Sequence, residues 1–381
     1  MIFKRRLPLT LIAGLLTGPV LRAQDSARVP VGLEEFIGGT GESASQLLKD
    51  DLTNSGMLSV VDSPNPGNGW LVRGSSSAGR IDGALMDKKG NLVFNNHYDE
   101  PDLRDNAHTF ADDIANAITG TRGIASTKIA FVSHRTGAPE IYLADSDGGR
   151  IQQITSTGRL KGSPSLGPGS ILLTYTSYAS GFADVVLKDL RTGDERPVLA
   201  APGTNSGAVF SPDGTRLALS MSFGGDTDIY VSTLSGSRCQ RVTHSKSVEF
   251  SPSWSPDGNR LVFCSDATGS PQLFVAPRSG GNPERLDTGW RSSLSPDWSP
   301  DGVHIAFTGR DKGRPGVMIH DLTSGKSRLL LNNAQDPAWA PNGRHLVVVQ
   351  NDSLVIVDTV NGQRRTLVSG VPRLSEPAWS R

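Results

Sequence analysis

Hydroxyls, imidazoles and carboxylates are plentiful along this 381-residue chain, and what matters first is whether any are spaced for chemistry. A hydrolase serine sits on a strained Gly-x-Ser-x-Gly elbow, and that motif occurs nowhere. Zinc ligation needs clustered His and Cys, yet the seven histidines show no such spacing; His97 and His108 are eleven apart on different predicted elements. His304 and His345 take a position that Arg216 and Arg260 take elsewhere, which predicts surface residues. Asp213, Asp257 and Asp301 each precede a glycine, and Asn342 replaces them once, so turn capping explains them better than calcium does. No glycine cluster stands between a strand and a helix to cradle phosphate. Cys239 and Cys264 predict two free, buried thiols and no disulfide framework. The chain therefore reads as a protein without catalytic residues or a required cofactor.

The elements that carry these residues repeat. Ser-Pro-Asp-Gly begins at 211, 255 and 299, forty-four residues apart, and Ala-Pro-Asn-Gly follows at 340. Trp254, Trp298, Trp339 and Trp379 keep step with the turns. Recurrence at one position predicts packing between repeats, not a sugar-binding platform. In each unit the residue before proline should open an extended segment. A Pro-Asp-Gly turn, a short apolar strand such as 260–263, a glycine-containing hairpin, a second apolar strand and a polar fourth strand follow. Four antiparallel strands per unit make a propeller blade, and second-strand runs starting at 128, 171, 216, 260, 304 and 345 count six. The terminal Glu-Pro-Ala-Trp-Ser, 376–380, has the inner-strand marker and no turn after it. It is expected to be the innermost strand of the first blade, beside 128–132, removing an exposed edge.

Upstream, residues 1–23 have a basic start, a fourteen-residue apolar run too short to span a membrane and a small residue for cleavage, as a secretory signal does. Residues 24–123 lack the repeat and predict a small α/β domain, with helices over 42–54 and 110–118 and a hairpin over 81–94. Residues 124–381 form the propeller. Formal net charge is zero and the pI about 7.1, a balance that argues against nucleic acid or an anionic membrane as partner.

The junction His108-Thr-Phe-Ala-Asp-Asp112, continuing through Arg122-Gly123 into 128–131, resembles that of the TolB family, periplasmic propeller components of the Tol-Pal system. Asp51-Leu-Thr-Asn-Ser-Gly56 resembles that family's helix end. The resemblance implies a non-enzymatic, monomeric periplasmic scaffold. It would bind a Pal-like peptidoglycan-associated lipoprotein at the propeller mouth and support outer-membrane integrity and constriction during cell division. Coupling to a TolA-like inner-membrane protein is implied less strongly, because only Gln24 to Ala27 separate the expected cleavage site from the first strand. A glycan-binding or hydrolytic propeller of the envelope is the alternative, and the sequence leaves open a cation such as calcium in the tunnel.

In a propeller, the loops joining one blade's outer strand to the next blade's inner strand gather at one mouth. The family's mouth pattern, matched loop by loop, implies partner contacts at Thr204, Asn205, Ser247, Glu249, Trp290, Arg291, Ser292, Asn333, Gln335 and Arg373.

Overall fold

The computed structural model describes residues 28–61, 69–199, 201–223 and 225–380. The expected leader and the short tail after it lie outside the described residues. The N-terminal unit is a five-stranded sheet of β1 (Val29–Leu33), β2 (Leu58–Val61), β3 (Trp70–Ser77), β4 (Arg80–Met86) and β5 (Leu92–Tyr98). Their order is β2-β1-β3-β4-β5, parallel around β1 and antiparallel beyond it. Helices α1 (Gly41–Asn54) and α2 (Leu103–Thr119) cover one face. Leu48, Leu52, Phe110 and Ile114 meet there at full burial, as their helical spacing requires. Asp102 caps α2 by accepting from the Arg104 N–H, and Gly120 ends it at φ 70°.

Six four-stranded sheets follow. Their inner strands are Ser375–Trp379, Lys161–Leu166, Asn205–Phe210, Glu249–Trp254, Ser292–Trp298 and Ala334–Trp339, for blades 1 to 6. The C-terminal strand pairs antiparallel with Lys128–Ser133, Trp379 opposite Ile129, so the expected closure is observed. Trp254 and Trp298 are buried to within 1% and Trp339 and Trp379 nearly so, filling the wedges between blades. The turn aspartates behave as caps: Ser255 Oγ donates to Asp257 Oδ1 at 2.5 Å, and the Asn259 N–H donates to the same oxygen.

The inner strands depart from the sequence expectation at one position per blade. Ser163, Ser251, Ser295, Asp336 and Glu376 all precede proline, yet their φ values are 48° to 52° instead of extended; Gly207, at 64°, is the sixth. Each marks a bulge where the pairing register shifts, for example between Phe250 and Ser253. A bulge re-aims the side chain at its apex, here towards the central tunnel, and this outweighs the pre-proline preference. Two residues on, side chains stitch neighbouring blades together: the Trp298 N–H donates to Ser253 Oγ (3.0 Å) and the Trp339 N–H to Asp297 Oδ2 (2.7 Å).

The N-terminal unit rests on the turn face of blades 6 and 1. Arg344 donates to the Gly56 carbonyl (3.2 Å) and to Asp358 (2.7 Å). Gly56 is required there, because a Cβ would lie 2.7 Å from Asp358 Oδ2 and its φ is +67°. This contact corrects one expectation: His345 is 2% exposed, not a surface residue, because the N-terminal unit covers it. His304, uncovered, is half-buried and bonds Asp301. Both cysteines are free, but only Cys264 is buried; Cys239 is exposed on an outer strand of blade 3.

Candidate functional site

The hairpins joining second and third strands open on the same face as the inter-blade loops. The backbone shows it: Tyr178 N donates to the Leu160 carbonyl, Ser222 N to that of Thr204, and Asn333 N to that of Pro315. The opposite face carries the Pro-Asp-Gly turns and the N-terminal unit, so among the described residues nothing covers the mouth.

Of the residues expected there, Thr204, Arg291, Asn333 and Arg373 are exposed, while Ser247, Trp290, Ser292 and Gln335 are half-buried. Asn205 and Glu249, at 0% and 2% exposure, are not displayed. They begin inner strands and point inward: Asn205 donates to the Ala201 carbonyl (3.0 Å), and burial raises the Glu249 carboxyl above its usual range. These two brace the loops instead of offering contact. Trp290 packs against Gly309, where a Cβ would come within 2.9 Å of the indole.

Below the mouth lies a cavity of about 330 Å³, lined by all six bulge residues with Asp297. Desolvation by the tunnel walls raises the pKa of both Asp336 and Glu376, although the Glu376 side chain is exposed to the tunnel space. Asp336 accepts from Ser295 Oγ (3.0 Å), Asp297 from Ser253 Oγ (2.9 Å), and Glu376 from the Ser163 N–H. Each carboxylate is thus engaged by a neighbouring blade. Among the described residues, the one set of His and carboxylate ligand atoms that converges lies at the domain junction: Asp51, His108 and Asp147.

That junction set, missed in the sequence because His108 was weighed only against other histidines, is an ion-pair network. His108 Nδ1 lies 2.6 Å from Asp51 Oδ2, and its Nε2 lies 3.9 Å from Asp147 Oδ2. Burial works against the charged imidazole, but the Asp51 bond and the charges of Asp51 and Asp147 win and raise its pKa. Burial also lifts Asp51, which pulls the other way. The ion-paired form is favoured, since His108 faces two carboxylates at these distances. Arg104 pairs with Asp147, and Arg365 donates to the Ser146 carbonyl (2.5 Å), so the anionic charge is already met by cations of the chain.

The sequence-based expectation also overlooked the second-to-third-strand hairpins at the mouth. Phe182 (69% exposed) and Phe223 (54%) stand on those of blades 2 and 3. Blade 5 carries Arg310, Lys312 and Arg314 on its own. The alternation of loops between faces is the signal that could have found them.

The fold is a six-bladed propeller with a small α/β unit docked on the turn face and the loop face left uncovered by the described residues. The profile of the PD40 family, the TolB beta propeller domain, matches residues 115–381. The chain belongs to the TolB family. It is 28% identical over 195 residues to a protein TolB homolog of Chlorobium chlorochromatii, covering 42% of this chain and 44% of the relative. It is 30% identical over 151 residues to the Tol-Pal system protein TolB of Bordetella avium, covering 32% and 34%. The matched stretches therefore span less than half the length of these relatives. The crystal structure of TolB from Acinetobacter baumannii superposes with a TM-score of 0.80 at 25% identity, over 93% of this chain and 97% of that one.

Proposed function

We propose that this protein is a periplasmic scaffold of the Tol-Pal system whose propeller mouth binds a Pal-like peptidoglycan-associated lipoprotein. In that role it supports outer-membrane integrity and constriction during cell division. The observation that carries the reading is the shared architecture with the Acinetobacter baumannii TolB, with the mouth left free by the N-terminal unit. Trp290 and Arg291, side by side at the rim, are of the types that dominate interface energetics, and the packed indole loses little entropy on binding. Thr204, Ser247, Asn333 and Arg373 surround them as the polar rim.

The test is calorimetric titration with the lipid-free domain of the Pal-like lipoprotein from the same cell. Saturable one-to-one binding is expected, weakened about tenfold or more, or ~1.4 kcal/mol, by Trp290→Ala. Undetectable binding by a folded wild-type protein would remove the proposal.

A further inference from the structure

One sector of the mouth joins a run of basic residues to a tight hairpin; blade 6 has an equally tight turn, at Asn351 and Asp352, but an acidic one. In blades 1 to 4 the second and third strands are six residues long and end in irregular loops. In blade 5 they run His304–Asp311 and Arg314–Asp321, eight residues each, and the ladder continues to the pairs Arg310 with Pro315 and Asp311 with Arg314. The turn is the two residues Lys312 and Gly313, at φ 49° and 79°, the left-handed pair that matches the twist of a tight hairpin. This is a stiff finger, not a mobile loop.

Its cargo is basic. Arg310, Lys312 and Arg314 are exposed, with Asp311 the sole acid between them, and Arg291 lies alongside through the pairing of Ser292 with Arg310. None of these four cations makes an ion pair or a side-chain hydrogen bond among the described residues. Elsewhere on the rim, the exposed Asp226 and Asp352 break up the positive charge, and Asp287 is the one exposed acid in the loop that carries Arg291. A broad polyanion such as a nucleic acid or an anionic bilayer would meet these acids wherever it spread. A compact acidic epitope would meet only the basic sector. Unpaired cations on a stiff support lose little entropy when they are paired, and like-signed charge at one spot steers encounter.

We propose that the blade 5 hairpin 310–314, with Arg291, is a docking surface for an acidic segment of the protein partner, placed so that the partner engages blade 5 first and then seats over Trp290. The inference rests on the proposed mouth-binding function and adds the partner's charge and the point of first contact.

Stopped-flow association of the same lipid-free lipoprotein domain tests it, with wild type and a Lys312→Asn, Arg314→Glu double variant at several salt concentrations. Asparagine keeps the left-handed turn, and an unchanged melting temperature verifies the fold. The expected result is a wild-type association rate that falls steeply with salt, and a variant about tenfold slower at low salt with a flatter dependence. Equal rates with equal salt dependence overturn this inference and leave mouth binding standing. Absence of wild-type binding overturns both. A parallel arm with phosphatidylglycerol vesicles separates the sources of negative charge. Wild-type vesicle binding abolished in the double variant, with lipoprotein association unaffected, would assign the hairpin to lipid and overturn the proposal.

Discussion

His345 stands where Arg216 and Arg260 stand in other blades, but the N-terminal unit seals it, and burial, reinforced by Arg344 and Arg365, lowers its pKa. A histidine held neutral in the fold takes up a proton more readily when unfolded. Its contribution is therefore complete above the unfolded value near 6.5 and is lost as pH falls towards the folded value, at up to ~1.4 kcal/mol per pH unit. His108 has the opposite sign: with its pKa raised, its contribution is complete below about 6.5 and fades as pH climbs through the folded value. Thermal melts from pH 7.5 to 5 should show wild type losing stability that His345→Asn retains; parallel curves for the two proteins would contradict the assignment. The motifs at this junction were legible as a resemblance, and the structure supplies their physics. Asp51 holds His108, Gly56 lets Asp358 approach, and Asp112 accepts from the N–H groups of Ala125 (2.8 Å) and Ser126 (3.0 Å), pinning the linker.

At the scale of the element, spacing alone revealed the blades, because a 44-residue period, a turn signature and a tryptophan marker coincide. The bulge was not legible. Local preference puts the residue before proline in extended backbone, and only the need to turn six inner strands towards a common axis reverses it. This yields a prediction about equivalent positions. Gly207→Val places a β-branched residue at φ 64° and should cost about 1–2 kcal/mol, whereas Ser251→Gly relieves a left-handed residue and should be close to neutral. Denaturant midpoints check both, and equal losses would show that the two positions are not equivalent. Asn205 and Glu249 show the related limit on the site. Loop membership could be counted from the repeat, but the side-chain direction at a strand's first residue depends on where the ladder begins.

For the whole molecule, the two faces of the ring have separate tasks. The Pro-Asp-Gly face is contacted by the N-terminal unit through Arg344, Arg104 and Arg150, a set of charged contacts spread over blades 6 and 1. Among the described residues the loop face stays uncovered, with a packed Trp290, a basic hairpin and a cavity below. Docking the small unit on the turn face leaves the mouth free and makes recognition a property of loops on a rigid closed ring. Hydrogen–deuterium exchange of the protein with and without the lipid-free Pal-like domain tests this division most directly. Protection confined to the loop face, at 245–249, 289–293, 310–314 and 333–335, is predicted. Protection of the turns at 211–214, 255–258 and 299–302 with the mouth unchanged would contradict it.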